Sequence, residues 1–304
     1  MRVRRAETLG FCMGVRRAME MADAALSQAA LSRPSRSGAV YAMGTLIHNS
    51  QAMEPLLKRG LAVLTEEKIP ENLSGIPVVI RAHGISPRLE NTLAGRGARL
   101  LDATCPKVKA SQLKAQELCS LGRRVFLAGE GRHAEIIGIL GYAPDCVVVG
   151  SAGEAAAAAE KLRGEAGGAA LQTALIGQTT WDMAEYAAIA EAIRSYFPDL
   201  EVCATICGAT RARQDSLRAL CGEVDAIIVA GGRESANTRR LLDIARSFPG
   251  PGGRGKPAWL VETPAEIPGE VDRYETLGIC AGASTPDALI GAIEEALLQR
   301  PAKP

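Results

Sequence analysis

Three cysteines in this 304-residue chain each stand between the end of a predicted strand and the start of a predicted helix: Cys12 in TLGFCMGV, Cys105 in LDATCPKV and Cys207 in ATICGATR. The intervals between them are 93 and 102 residues, too long for the CxxC loops of a zinc ribbon or a bacterial ferredoxin. Their surroundings repeat as well. Cys12 is followed by IHNSQ around His48 and VVIRAHGIS around His83; Cys105 by VFLAGEGRHAE around His133 and ALIGQTTWD around Thr179. Cys207 is followed by IIVAGGRESAN around Ser235 and Asn237, then LGICAGASTPD around Ser284. Every one of these segments is a β-branched or apolar run that ends in a polar, Gly-containing turn and opens a helix.

The chain therefore reads as three diverged copies of one α/β unit. Its divisions are expected at residues 13–104, 105–205 and 206–304, with the N-terminal strand 1–12 joining the third. In open parallel sheets ligands bind beyond the carboxyl ends of the strands. Three such units facing one another would bring nine segments and three cysteines to one central cavity.

Helices are expected over residues 12–30, 86–97, 105–122, 179–197, 210–222, 235–248 and 284–300, where apolar residues recur at three-and-four spacing. Pro87, Pro106 and Pro286 mark first helical positions. SRPSRSG (32–38) and FPGPGGRGKP (248–257) read as surface loops, and residues 152–170 as a helix plus a flexible turn.

A formal charge of +1 gives no global field for nucleic acid or an anionic membrane. The basic start MRVRRAETLGF lacks the apolar stretch of a signal peptide, and no membrane-length apolar run follows. A cytoplasmic address and reduced thiols are expected.

A thiol at a helix start faces unpaired N–H groups and the positive end of the macrodipole, which favours thiolate, the metal-binding form. Three thiolates leave one corner of a four-iron cluster open to substrate, as catalytic zinc sites keep one open position. Cys119, Cys146, Cys203, Cys221 and Cys280 lie in apolar patterns and read as packing residues, with Cys203 and Cys280 close to site segments. All three histidines of the chain fall at strand ends. Imidazolium, hydroxyl and amide donors near helix N-termini suit a diphosphate, and no Walker or GxGxxG loop competes for that role. Glu135, two residues beyond His133, would share its face if the segment were extended.

In order along the chain, GFCMGV, LIHNSQ, RAHGISP, LDATCPKV, RHAEIIG, GQTT, ATICGATRARQ, RESANTRRL and AGASTPD resemble the motif set of the LytB family of 4-hydroxy-3-methylbut-2-enyl diphosphate reductases. The resemblance runs from Cys12 to Asp287. It implies an α/β trefoil around one 4Fe-4S cluster held by Cys12, Cys105 and Cys207, with the fourth iron open to the substrate hydroxyl. It further implies a diphosphate held by His48, His83, His133, Ser235, Asn237 and Ser284, with Thr179 orienting the hydroxyl and Glu135 as the acid. Two electrons, a proton for the departing water and a proton on the allyl carbon would then give isopentenyl or dimethylallyl diphosphate, the last step of the methylerythritol phosphate route. Ala236, Ile137 and Gly208 depart from the family pattern, where a second serine, a glutamate and an aromatic residue are common.

Two other classes share these features. A hydro-lyase of the aconitase type also uses three cysteines and an open iron, but needs no electron donor and no diphosphate cage. An iron-sulfur sensor would need a DNA-binding or partner module, and no helix-turn-helix is visible. The partners expected are a small diphosphate and a donor such as ferredoxin or flavodoxin, with no nucleic acid or membrane. Arg2, Arg4, Arg5, Arg16 and Arg17 form the densest basic segment, expected to dock an acidic donor.

Overall fold

The computed structural model describes residues 1–31, 39–167, 169–250 and 255–300. Among them it contains three four-stranded sheets, parallel throughout. The first contains β2 (Val40–Met43), β3 (Leu61–Leu64), β4 (Pro77–Ile80) and β5 (Arg99–Asp102), in spatial order β3-β2-β4-β5. The second contains β6 (Arg124–Ala128), β7 (Val147–Val149), β8 (Thr173–Gly177) and β9 (Glu201–Val202), ordered β7-β6-β8-β9. The third contains β10 (Ala226–Ala230), β11 (Ala258–Val261), β12 (Thr276–Ala281) and the N-terminal β1 (Arg2–Arg5), ordered β11-β10-β12-β1.

One topology is thus used three times: second strand, first, third, fourth. In the third sheet the fourth place is filled by β1, with Arg2 opposite Thr276 and Arg5 opposite Ile279. The three α/β units expected from the sequence are present as these sheets. Contacts group the chain into two compact units, one of Met1–Arg16, Ile47–Pro55 and Gly208–Pro304, the other of Arg17–Leu46 and Leu56–Cys207. The third sheet lies in the former and the other two in the latter.

Strands covered by helices on both faces read as near-continuous apolar runs, and every residue of β8, β10 and β12 is buried. Phe126, Leu175, Ile189 and Ile193 fill one core layer of the second sheet, and Val125, Ile136, Ile139 and Ile176 fill the opposite one. In the third sheet Ile228, Ile279, Ile290 and Ile293 pack on one side, and Leu217, Ile227, Val229 and Leu241 on the other.

The connecting helices are α1 (Met13–Leu31), α2 (Ser50–Lys58), α3 (Pro87–Gly95), α4 (Pro106–Ser120), α5 (Ala134–Tyr142), α6 (Ala152–Glu165), α7 (Met183–Arg194), α8 (Gly208–Glu223), α9 (Ala236–Ser247) and α10 (Asp287–Leu298). Ser86 caps α3 by accepting the Leu89 N–H at 3.2 Å, with Pro87 at the first helical position. Two helix starts differ from the sequence expectation. α7 begins at Met183 rather than Thr179, because the Asp182 carboxylate accepts the N–H groups of Ala184 (2.8 Å) and Glu185 (3.1 Å) and so sets the boundary. Pro286 is the residue before α10, not its first. SRPSRSG (32–38) lies outside the described residues. In the other expected loop Phe248 ends α9 and Pro249 bridges Gly255, while residues 251–254 lie outside the description.

Candidate active site

The shared strand order has a chemical consequence. In each sheet the first and third strands are neighbours whose connections depart in opposite directions, which is the switch point where open α/β sheets bind ligands. The residues following those two strands are His48 and His83 in the first sheet, then His133 and Thr179 in the second. In the third they are Ser235 with Asn237, and Ser284. The fourth strands β5, β9 and β1 lead to Cys105, Cys207 and Cys12. Each cysteine therefore closes the repeat that precedes it rather than opening the next, a shift of one strand from the grouping by sequence thirds.

Backbone hydrogen bonds tie every cysteine to the turn after the third strand of its own sheet. The Cys12 N–H donates to the Ala283 carbonyl (3.1 Å), that of Cys105 to Ala82 (2.9 Å) and that of Cys207 to Thr179 (3.0 Å). Those acceptors are Thr179 itself and the residues just before His83 and Ser284. All three cysteines are half-buried, and none of the eight forms a disulfide. Cys105 is the N-cap residue of α4, with its sulfur not engaged in capping. Each of the three is a partly accessible thiol at the start of a helix, the kind of ligand an iron-sulfur group takes.

The other five cysteines differ. Cys146, Cys203, Cys221 and Cys280 are buried, and burial pushes the thiols of Cys203 and Cys221 up to about 11 and raises those of Cys146 and Cys280 as well. Such thiols stay protonated and pack as small apolar groups. Cys119 is half-buried, with its sulfur 4.0 Å from that of Cys146.

In the second sheet His133 is the N-cap of α5, its Nδ1 accepting the Glu135 N–H at 3.2 Å. With Nδ1 turned to the backbone, Nε2 is the ring nitrogen left to face a ligand. The segment is helical at Glu135 rather than extended, which turns that side chain into the protein. Glu135 is only 1% exposed. Its carboxylate accepts the Thr179 N–H at 2.7 Å and the Thr179 hydroxyl at 2.9 Å. Burial raises its pKa to about 7, outweighing those two hydrogen bonds, which act to lower it. A carboxyl half-protonated near neutrality can hand over a proton and take one back. The His83 and His133 rings meet edge to face, with centroids 5.2 Å apart.

In the third sheet Ser235, Asn237 and Ser284 are buried. Ser235 Oγ caps α9 by accepting the Thr238 N–H at 3.3 Å, which leaves its own O–H as a donor. Ser284 Oγ donates to the His48 carbonyl at 3.4 Å. Asn237 Nδ2 is buried with no hydrogen-bond partner among the described residues, a donor available to an acceptor from outside the chain. Sequence reasoning passed over Gln178, buried beside Thr179, whose Oε1 accepts the Glu130 N–H at 3.1 Å and whose Nε2 donates to Thr180 at 2.9 Å. Its only sequence signal was its place in GQTT.

The family profile described as LytB protein matches residues 3–298. The chain belongs to the LytB family. It is 43% identical to the 4-hydroxy-3-methylbut-2-enyl diphosphate reductase of Treponema denticola over 98% of this chain and 99% of that one. It is 35% identical to the Aquifex aeolicus protein of the same name, over 95% and 93%. Among solved structures it resembles the Plasmodium falciparum E-1-hydroxy-2-methyl-but-2-enyl-4-diphosphate reductase, with a TM-score of 0.84, 25% identity and coverage of 99% and 88%. A second solved (E)-4-hydroxy-3-methyl-but-2-enyl diphosphate reductase, described as the terminal enzyme of the non-mevalonate pathway, aligns with a TM-score of 0.66 at 33% identity, over 99% and 100%. These relatives are reductases, so the hydro-lyase alternative falls away.

Within this LytB chain the three departures occupy distinct settings. Ile137 is 46% exposed on α5, and Ala236 is the buried first residue of α9. Gly208 begins α8, and a Cβ built there meets nothing within 4 Å. Gly208→Ala should therefore stabilise the apoprotein by about 0.5 kcal/mol through a stiffer unfolded chain, read as later unfolding in urea; earlier unfolding would mean that the first turn of α8 requires glycine.

Four of the five arginines of the expected docking segment have partners within the chain. Arg2 pairs with Glu275 at 2.9 Å, Arg4 with Glu223 and Arg5 with Glu294. Arg17 is turned to the carbonyls of Asp102 (2.9 Å) and Thr104 (3.0 Å). Runs of arginine in a sequence do not reveal glutamates that lie more than two hundred residues away. No helix among the described residues is long and apolar enough to cross a membrane.

Proposed function

We propose that this chain reduces 4-hydroxy-3-methylbut-2-enyl diphosphate to isopentenyl and dimethylallyl diphosphate, the terminal step of the methylerythritol phosphate (non-mevalonate) route. The balanced change is substrate plus two electrons and two protons giving product and water. The observation that carries the reading is Glu135, a buried carboxyl near pKa 7 held by Thr179 at the second sheet's switch point. Full-length similarity to reductases of that name supports it.

Cys12, Cys105 and Cys207 would hold one 4Fe-4S cluster with an open fourth iron. When bound, such a group supplies electrons singly and a Lewis-acidic position for the hydroxyl oxygen. The chain's own residues do the remaining work. His48, His83 and His133, with Ser235, Asn237 and Ser284, whose hydroxyl turns away from the His48 carbonyl to do so, donate hydrogen bonds to the diphosphate oxygens, which only accept. For His133 the donor atom is Nε2, because Nδ1 is occupied by the Glu135 N–H. Thr179 Oγ1 donates to Glu135 Oε2 and can accept from the substrate hydroxyl in return, orienting it. Hydroxide is a poor leaving group, so protonation from the Glu135 carboxyl lets it depart as water. Electrons come from a small donor of the ferredoxin or flavodoxin type, in the cytoplasm.

Anaerobically purified protein should consume the hydroxymethylbutenyl diphosphate only when a reductant is supplied, with product followed by mass spectrometry. Hydration or isomerisation without a reductant would overturn the proposal.

A further inference from the structure

Arg213 lies in TRARQ, in the second turn of α8. Its side chain is buried, 3% exposed. Nη2 donates to the Gly10 carbonyl at 2.7 Å, and Nη1 to the Ala209 carbonyl at 3.2 Å. Gly10 stands two residues before Cys12, and Ala209 two residues after Cys207. The guanidinium also lies close enough to Cys280, at the end of β12, to oppose the upward push of burial on that thiol.

The loop it grips has little conformational choice. Gly10 has a φ of +78°, and a Cβ there would come within 2.7 Å of the Asp287 carboxylate. The Thr8 N–H is bonded to Ser216 Oγ at 3.0 Å, and the Cys12 N–H to Ala283. Desolvating a guanidinium is costly, and an apolar side chain of similar length would fill the same volume without that cost. What only arginine offers is a planar fork that reaches two carbonyls together with a permanent charge.

We propose that Arg213 is a positioning residue for the iron-sulfur group, fixing the backbone that presents Cys12 and the helical turn after Cys207 while holding a buried positive charge beside them. This rests on the three-cysteine reading given above. A fixed cation in a low-dielectric setting favours the more negative, reduced state of the group over the oxidised one.

The test compares Arg213→Met and Arg213→Lys with the parent, each purified anaerobically as holoprotein. It measures iron and sulfide content, the reduction midpoint by a titration followed by electron paramagnetic resonance, and iron loss to a chelator. Arg213→Met should show a more negative midpoint and lose iron faster, by roughly the 10- to 100-fold typical of outer-sphere changes at metal sites. Arg213→Lys keeps the charge but cannot span both carbonyls, so its midpoint should stay near the parent's while its iron loss accelerates. A parent-like midpoint and parent-like iron loss in Arg213→Met would overturn the inference. If that variant does not fold, parent-like iron loss in Arg213→Lys overturns it equally. A parent protein that holds no iron refutes the three-cysteine reading itself, a result distinguishable from either.

Discussion

Glu135→Gln should turn over roughly 10²- to 10⁴-fold more slowly than the parent, the usual worth of a positioned general acid. Glutamine keeps the shape and can still accept from Thr179, but it carries no acidic proton. The diphosphate donors are untouched, so substrate affinity, read from the spectral shift of the holoenzyme on titration, should change little. Turnover near the parent rate, or a defect that vanishes at saturating substrate, would remove Glu135 from the chemistry. The same substitution has a stability consequence of opposite sign. Because the folded-state pKa of about 7 lies above the ordinary 4.5, the folded state binds the proton more tightly, and stability is lost as pH rises through that window. A shift of that size corresponds to on the order of 3 kcal/mol. The Glu135→Gln apoprotein should match the parent near pH ~4 and exceed it by up to that amount near pH ~8. A constant difference across the range would mean that Glu135 does not titrate there.

Cys105→Ser should abolish the iron-sulfur signal, and Cys12→Ser and Cys207→Ser should do the same. Serine presents a hydroxyl whose deprotonation is far harder than that of a thiol at a helix start, so the ligand atom is lost and not merely altered. Ser replacements at Cys119, Cys146, Cys203, Cys221 and Cys280 should leave iron content near the parent value. The buried four of these should instead lower stability by roughly 1–3 kcal/mol, since a hydroxyl placed in an apolar site pays for desolvation. Iron analysis and Mössbauer spectra of the eight variants separate the two groups; a complete four-iron spectrum in Cys105→Ser would refute the assignment.

The alternation of apolar runs, polar turns and amphipathic helices was legible because parallel strands buried on both faces announce themselves as unbroken Val, Ile and Leu. The site segments were legible for a related reason: the chain's three histidines and three of its eight cysteines fall in equivalent strand-end settings. Pairing was harder to read. The N-terminal strand was expected with the third unit, where β1 pairs β12, but the grouping of Cys105 and Cys207 with the segments after them came from sequence adjacency, whereas hydrogen bonding groups them with the strands before them. α2 was not among the expected helices because Pro55 stands inside it. Glu135 was expected on an extended segment, and only the His133 cap reveals that it is helical and turned inward. Arg213 and the glutamates opposite Arg2, Arg4 and Arg5 depend on contacts between residues far apart in sequence, which local pattern does not encode.

The N-terminal strand sets an order of events during synthesis. β1 leaves the ribosome long before its partner β12, and the Arg2–Thr276 pair closes one of the longest loops that the described residues can make. Closing such a loop costs more entropy than pairing β2 with β3, and contacts this distant in sequence slow folding. The first two sheets can form while the chain is still growing, but the third has no fourth strand until residue 276 and its neighbours have emerged. Cys12, made earliest, is therefore anchored last. A chain cut short between Cys207 and β12 would carry Cys105 and Cys207 beside their finished sheets and still lack β12, the strand that β1 pairs with just ahead of Cys12.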